Sequence, residues 1–160
     1  MRFMKLTRIM TDDVKAKVKK VLDEYLEACQ HRKTPERYAI LDAVYSIDKH
    51  FTLEELGEYL THNGFRVSRA TLYNTIHLFV ELRLVVRHGL AQGTKYEASL
   101  GRENHVHQVC TACGAVTDID APLVTMAISN TQLHNFHCDE FALYIYGLCA
   151  SCQSCQKKRQ

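Results

Sequence analysis

Four cysteines in two pairs form the clearest chemical pattern in the sequence. Cys110 and Cys113 stand two residues apart just before Gly114, and Cys149 and Cys152 repeat that spacing further along the chain. Thiolates two residues apart in a tight turn converge on one ion, and four of them complete the tetrahedral shell that zinc accepts. Because four sulfur ligands leave no position for water, the pattern predicts a structural zinc ion rather than a catalytic one.

The exact set of thiols stays open in the sequence. Cys155 follows Cys152 at the same spacing, so one of the last three cysteines is spare. Independent redox-active CxxC pairs are the alternative interpretation. Cys29 and Cys138 have apolar or mixed neighbours, and we expect both to be small buried residues.

Two histidines precede the first cysteine pair. If this stretch is extended, His105 and His107 share one face, where side-by-side imidazoles can bind a divalent metal. This pattern alone is weak, and ordinary surface or core histidines are the alternative. A zinc hydrolase built on the same pair is less favoured, because the sequence offers no obvious general base beside an open metal site.

Composition is typical of a globular protein. The 160 residues are 46% hydrophobic and 24% charged, without an uninterrupted apolar run long enough to cross a bilayer. Residues 1–10 lack the apolar block of a secretory signal, and the seven cysteines then indicate reduced or metal-bound thiols. We therefore expect a cytoplasmic protein with no membrane partner.

The net charge of +2 is unevenly distributed along the chain. Residues 1–96 carry 16 Lys and Arg against 12 Asp and Glu, a net +4, whereas residues 97–160 carry 4 against 6, a net −2. The mildly basic first part permits contact with nucleic acid, although such an excess is also typical of a solvated surface.

Helical periodicity dominates the first 95 residues. Four helices are predicted, which begin after Thr11, at Pro35 behind Thr34, after a capping box at Thr52, and after Ser68. In the fourth helix one face is predicted to be core and the opposite face to be exposed. The core residues are Leu72, Ile76 and Phe79, and the exposed residues are Ala70, Tyr73, Asn74 and His77.

Extended segments follow the helices. Residues 84–88 and 94–97, joined by a turn containing Gly89 and Gly93, predict a β-hairpin. Helices followed by a hairpin are the order of a winged helix, in which the last helix enters the major groove of DNA.

The remaining chain mixes strands and helix. Strands are predicted at residues 107–110 and 115–120, a helix begins at Pro122, and residues 141–146 are apolar enough for a strand buried on both faces of a sheet shared by two copies. The expected fold class is α+β, with a winged-helix domain over residues 1–95 and a small α/β dimerisation domain over residues 96–160.

The sequence resembles the ferric uptake regulator (Fur) family from about Arg32 to Cys152. The similar segments are residues 34–37 (TPER), 68–73 (SRATLY), 105–114 (HVHQVCTACG) and 144–149 (YIYGLC). The resemblance implies a metal-dependent repressor, a homodimer that binds a palindromic operator in double-stranded DNA when a hinge metal site is loaded. It implies neither enzymatic activity nor a small-molecule substrate.

The resemblance also implies the ligands of the hinge site, which are His50, Glu97, His105, His107 and Asp118. Nitrogen and carboxylate donors of this kind suit iron(II), manganese(II) or zinc(II). Iron-sensing relatives usually carry glutamate at the position of Asp118 and peroxide-sensing relatives carry aspartate. A peroxide-sensing or zinc-sensing repressor is therefore the alternative.

A further metal site of many relatives falls on positions that carry poor ligands in this chain. These positions are Asn104, Val106, Thr125 and Phe141. Because valine and phenylalanine cannot ligate a metal, we expect this third site to be absent.

On the DNA side, the resemblance assigns base contact to Tyr73, whose ring can pack on a thymine methyl group. Arg69 and Asn74 lie near enough on the helix to assist. Relatives often carry arginine directly after the tyrosine, so Asn74 predicts a different operator preference. Basic side chains expected at phosphates or the minor groove are Arg32, Lys33 and Arg37.

Overall fold

The computed structural model describes residues 12–91, 93–100, 106–138 and 141–157 of the chain. The elements in chain order are α1 (Asp12–Ala28), α2 (Pro35–Ser46), α3 (Leu53–His62), α4 (Arg69–Glu81), β1 (Val85–Leu90), β2 (Gly93–Ala98), β3 (Val106–Cys110), β4 (Val116–Ile119), α5 (Pro122–Ser129), β5 (Leu143–Gly147) and α6 (Ala150–Lys157). Within those ranges, no helix combines the length and the apolar character needed to span a membrane. The mixture of helices and small sheets confirms the α+β class.

The chain divides into two compact units. The first unit holds residues 1–89 and 93–101, and the second holds residues 90–92 and 102–160. This division keeps all of β2 in the first unit, whereas the sequence-based boundary at residue 95 falls inside that strand.

The first unit is built on a core that its helices share with the hairpin. Fully buried side chains from α1, α2 and α4 meet there: Leu22, Leu26, Ile40, Val44 and Phe79. Four helices followed by a hairpin, which we call the wing, have the order of a winged helix.

Side-chain caps fix where α3 and α4 begin. Thr52 and Glu55 form the predicted capping box, with the Thr52 N–H donating to Glu55 Oε2 at 2.7 Å and the Glu55 N–H donating to Thr52 Oγ1 at 3.2 Å. Ser68 caps α4, since its hydroxyl accepts a backbone N–H of the first turn at 3.0 Å. Thr34 makes no such side-chain bond, and α2 instead begins with Pro35 at its first position.

The turn of the wing differs from the prediction. β1 continues to Leu90 and β2 starts at Gly93, so Gly89 and Gly93 both lie within strands. Gly93 has a φ of +119°, which side chains strongly disfavour, and glycine therefore lets β2 start directly after the turn.

A short segment before α3 adds to the edge of the wing. Phe51 and Tyr96 form an antiparallel bridge in which each N–H donates to the carbonyl of the other residue, at 2.9 and 2.8 Å. Residues on either side of such a bridge lie opposite each other with their side chains on one face. The bridge therefore brings His50 beside Glu97.

The second unit contains a three-stranded sheet in the order β4-β3-β5. β3 pairs antiparallel with β4 and parallel with β5, which leaves β5 at an edge. Ile145 and Tyr146 are 49% and 58% exposed in the single chain. Burial of residues 141–146 on both faces was predicted for a sheet shared by two copies, and it stays a prediction. An edge strand has one neighbour fewer to cover its side chains than a central strand has.

We predict that Tyr45→Phe destabilises the first unit. The buried Tyr45 hydroxyl donates to the Leu84 carbonyl at 2.8 Å and accepts from the Leu100 N–H at 3.3 Å. Losing a buried hydrogen-bond partner costs about 1–3 kcal/mol in the free energy of unfolding. Urea unfolding at fixed protein and metal concentrations measures the loss. Tyr59→Phe, at an exposed position on α3, is the control, and equal losses in the two variants would contradict this account.

Candidate metal centres

The strand arrangement of the second unit delivers both cysteine pairs to one end of its sheet. β3 ends at Cys110, which is in register with Gly147 at the end of the parallel strand β5. Cys113 lies in the turn that leads from β3 to β4, and Cys149 and Cys152 lie where the chain passes from β5 into α6. Because β3 and β5 run in the same direction, both cysteine pairs lie at the same end of the sheet.

Gly114 shapes the turn of the first pair. Its φ is +69°, in the left-handed region that favours glycine, and its N–H donates to the Cys110 carbonyl at 2.9 Å. The turn curls the Cys113 side chain back toward the end of β3.

The four sulfur atoms converge into what we call the four-thiol centre, formed by Cys110, Cys113, Cys149 and Cys152. They lie within 4.8 Å of one another, and Cys113 Sγ and Cys149 Sγ are 3.8 Å apart. In a tetrahedral zinc site with Zn–S bonds of ~2.3 Å, the sulfur atoms are about 3.8 Å apart. The arrangement therefore fits a zinc ion, which would fasten the ends of two strands when bound. Cys155 is exposed on α6 and lies outside this group.

Within the four-thiol centre, hydrogen bonds shift the pKa values of Cys110 and Cys152 in opposite directions. The Cys149 N–H donates to Cys110 Sγ at 3.3 Å, and this bond, followed by others from Cys113 and Ala112, lowers the pKa of Cys110 to about 6. Hydrogen bonds with Cys149 and then with the other thiols raise the pKa of Cys152 to about 12. Four thiols so close together cannot all lose their protons easily, because the negative charges would repel one another. A bound divalent cation would offset those charges and replace the protons.

The expectation that Cys29 and Cys138 are buried is wrong, because both are exposed. For Cys29 the reason is that α1 ends at Ala28 and the chain turns away at Gln30, where φ is +54°. Cys138 ends a run of exposed residues, 129–138, that begins at the last residue of α5.

In the first unit a buried carboxylate lies between two buried imidazoles. Glu97 Oε1 is 2.8 Å from His88 Nε2, and Glu97 Oε2 is 3.5 Å from His50 Nε2. Each of these side chains is at most 3% exposed, and the two rings meet edge to face at 5.0 Å. We call this set the first-unit triad.

The first-unit triad has the spacing that a metal ion requires. Its ligand atoms lie within 4.8 Å of one another. Bonds of ~2.0–2.1 Å to nitrogen and oxygen place neighbouring ligand atoms about 3 Å apart. Two imidazoles and a carboxylate also have the donor chemistry of a site for iron(II), manganese(II) or zinc(II).

Sequence reasoning missed His88. The pattern assigned residues 84–88 to a strand and gave the histidine no role. The available signal was its place in one strand of the hairpin whose other strand carries the predicted ligand Glu97.

His107 and Asp118 face each other in the second unit and form what we call the second-unit pair. They are register partners on β3 and β4, and His107 Nδ1 is 3.2 Å from Asp118 Oδ1. Tyr144, the register partner on β5, stacks on the buried imidazole with ring centroids 5.1 Å apart. His105, like Asn104, lies outside the described residues.

The predicted two faces of α4 are confirmed. Leu72, Ile76 and Phe79 are buried, whereas Ala70, Tyr73, Asn74 and His77 are exposed. The Tyr73 side chain is 55% exposed and packs beside the His77 ring at 5.9 Å. Arg69 Nη2 lies 3.5 Å from a Glu54 oxygen, in an exposed pair that contributes little to stability.

The basic residues near the start of α2 contact other groups of the first unit. Arg37 Nη1 donates to the Arg32 carbonyl, and Lys33 Nζ is 2.6 Å from Glu27 and 3.3 Å from Asp23. The hydrogen bond that Lys33 donates to Glu27 is the main cause that raises the pKa of Lys33. The charge of Lys33 is thus partly compensated within the chain.

A winged helix joined to a unit with a four-thiol centre, with imidazole and carboxylate clusters in both units, defines a metal-binding regulatory protein. The ferric uptake regulator family model matches residues 28–146, and the chain belongs to that family. This match confirms the resemblance seen in the sequence.

Individual relatives agree with this assignment. The peroxide-responsive repressor PerR of Staphylococcus saprophyticus is 30% identical over 128 residues, which cover 76% of this chain and 82% of that protein. The ferric uptake regulation protein of Neisseria meningitidis is also 30% identical over 128 residues, with 78% and 88% covered.

Solved structures show the same fold. The ferric uptake regulator of Helicobacter pylori superposes with a TM-score of 0.69 at 15% identity, covering 87% of this chain and 93% of that one. The Vibrio cholerae regulator gives a TM-score of 0.60 at 28% identity, covering 80% and 99%.

We predict that Cys113→Ser removes the bound zinc and that Cys155→Ser does not. Loss of one of four ligands opens the site, so zinc content should fall from about one ion per chain to near zero and the Tm of the second unit should drop. Elemental analysis of purified protein, with thermal unfolding, measures both effects. Equal zinc in the two variants, or loss only in Cys155→Ser, would show that the four-thiol centre is wrongly assigned.

Proposed function

We propose that this chain is a homodimeric repressor whose affinity for a palindromic operator rises when a divalent metal binds between its two units. The observation that supports this proposal most strongly is the first-unit triad, in which a buried carboxylate and two imidazoles lie at the wing of a winged helix. We assign the sensing ligands to His50 and Glu97 from the first unit and to His105, His107 and Asp118 from the second. The four-thiol centre is assigned to structural zinc.

The proposed mechanism couples metal binding to DNA binding through the relative pose of the two units. An ion shared by ligands from both units restricts that pose, so that the two α4 helices of a dimer match the spacing of two operator half-sites. Coupling of ~1–3 kcal/mol corresponds to roughly 5- to 150-fold in DNA affinity. No enzymatic step is involved, and the protein would act in the cytoplasm, where the DNA lies.

Exposed apolar surface supports the dimer. Leu123 and Met126 on α5 are 80% and 58% exposed, and every residue of α5 is at least partly exposed. Tyr146, on the edge strand β5, adds to this apolar surface of the second unit. Large exposed apolar side chains of this kind mark interaction surfaces, and a second copy of the chain is the partner that a palindromic operator requires.

The DNA contacts are assigned to α4 and the start of α2. Tyr73 projects from the exposed face of α4, and Arg69 and Asn74 are exposed beside it. Phosphate contacts are assigned to Arg32, Lys33 and Arg37. Because Lys33 already pairs with two carboxylates, we expect it to contribute less than an unpaired lysine would.

The metal is proposed to be iron(II), with manganese(II) and zinc(II) as alternatives. Asp118 supports a peroxide-sensing repressor as a second candidate, since peroxide-sensing relatives carry aspartate at this position. The Helicobacter pylori regulator has three functional metal binding sites. We propose two for this chain, because Val106, which is buried, and Phe141 cannot ligate a metal.

DNA binding in the presence of each metal tests this function. The duplex is the one enriched from a random library by the manganese-loaded chain, and fluorescence anisotropy measures affinity with iron(II), manganese(II), zinc(II) or chelator. We expect roughly 5- to 150-fold tighter binding with the physiological metal. Full metal dependence in a His105→Ala, His107→Ala double variant would contradict the mechanism.

Peroxide added to the iron form separates the two candidates. Loss of DNA binding together with an added oxygen on a site histidine, detected by mass spectrometry, supports the peroxide sensor. Loss on chelation alone, without histidine oxidation, supports the sensor of metal status.

We predict that Tyr73→Ala weakens binding to the selected duplex while leaving metal binding unchanged. Losing the readout of one base pair costs about 1–3 kcal/mol, so affinity should fall about 5- to 150-fold, with little change on unrelated DNA. Tyr59→Ala, on α3, is the matched control. Equal affinity of Tyr73→Ala and Tyr59→Ala would remove Tyr73 from the interface.

A further inference from the structure

We propose that His88 is itself a ligand of the sensing metal. The first unit would then supply three donor atoms to that ion: the Nε2 atoms of His50 and His88 and an oxygen of Glu97. This inference rests on the proposed function for the role of the site, and it adds a ligand that the family pattern does not supply.

The position of His88 within the first-unit triad supports this role. Its Nε2 atom lies 2.8 Å from Glu97 Oε1, closer than His50 Nε2 lies to Glu97 Oε2, at 3.5 Å. His88 is 1% exposed and Glu97 is 2% exposed. An imidazole donor atom that is as close to the carboxylate and as buried as the assigned ligand His50 meets the same geometric conditions for binding the ion.

The burial of the Glu97 carboxylate also supports metal binding by His88. A carboxylate removed from water requires a compensating positive charge or strong hydrogen bonds. Without a metal, an N–H of His88 can donate to Glu97. A divalent cation held by both imidazoles and the carboxylate would supply that compensation more completely and would displace the shared proton.

The donor set of the first unit also fits such an ion. Two histidines and one carboxylate are the ligands of non-haem iron(II) sites, which keep further positions open. With His88 included, the first unit alone would supply this donor set.

Metal binding by His88 would also restrict the two strands of the wing. His88 is on β1, Glu97 is on β2, and His50 belongs to the segment that the Phe51–Tyr96 bridge attaches to β2. An ion held by all three would pin both strands of the wing to the segment that leads into α3. Metal would then order the wing directly, in addition to fixing the pose of the two units.

Cobalt(II) spectroscopy on the full chain, with zinc already in the four-thiol centre, tests the assignment. The variant His88→Cys offers a thiolate at the same position, and a thiolate bound to cobalt gives an intense near-ultraviolet charge-transfer band. His62→Cys, which places a thiol at an exposed position on α3, is the matched control. We expect the band in the cobalt form of His88→Cys and in neither wild type nor His62→Cys.

Cobalt bound to His88→Cys without this band would overturn the proposal. If His88→Cys binds no cobalt, His88→Gln decides, because glutamine can still donate to Glu97 but is a poor ligand. A changed visible cobalt spectrum in His88→Gln, or an affinity loss beyond ~100-fold, supports ligation, since partners that only orient a ligand cost about 10- to 100-fold. An unchanged spectrum with a smaller loss assigns His88 to orientation alone and overturns the proposal.

Failure of the proposed function has a different signature. It appears as metal-dependent DNA binding that survives His105→Ala, His107→Ala, whatever the cobalt spectrum of the His88 variants. Hydrogen exchange gives a further readout, because cobalt should slow exchange in β1 and β2 of the wild type and not of His88→Gln. Equal protection in both would contradict direct ordering of the wing through His88.

Discussion

A carboxylate buried in the winged-helix unit is the constraint that shapes the wing and the proposed sensing site. Glu97 is almost fully removed from water, and burying an unpaired charge would cost several kcal/mol or more. The fold meets this cost by placing an imidazole against each oxygen, one from β1 and one from the segment bridged to β2. The same arrangement would provide a divalent-metal site if protons were exchanged for an ion. The proposed sensing chemistry and the stability of the wing would then be properties of one cluster.

In the second unit, strand β3 carries residues of two candidate metal-binding groups. β3 carries His107 in its second position and ends at Cys110, so one strand contributes to both the second-unit pair and the four-thiol centre. A zinc ion at the end of β3 and β5 would hold the register that sets His107 opposite Asp118 and against Tyr144. Under the proposed function, zinc at the four-thiol centre would hold the His107 imidazole in position for the sensing metal, although the two ions have different ligands.

Local patterns predicted much of this structure, whereas contacts across the chain were harder to foresee. The two faces of α4 and the capping box at Thr52 followed from spacing within one helix turn. The partner of Glu97 at His88 depends on the hairpin register, which the turn glycines did not reveal because both lie in strands. The apolar or mixed neighbours of Cys29 suggested burial, but α1 ends at Ala28 and Cys29 lies exposed in the turn that follows. The predicted ligands of the sensing site came from the family resemblance, since HxH spacing alone left several interpretations open.

The central claim is that a single ion engages both units, and calorimetric titration of manganese(II) into the zinc-loaded chain tests it most directly. The wild type is compared with Glu97→Ala, which alters only the first unit, and with His107→Ala, which alters only the second. The account predicts one sensing ion per chain in the wild type and a large loss of manganese affinity in both variants. Manganese binding with wild-type affinity in either variant, or two ions lost one by one, would contradict a shared site.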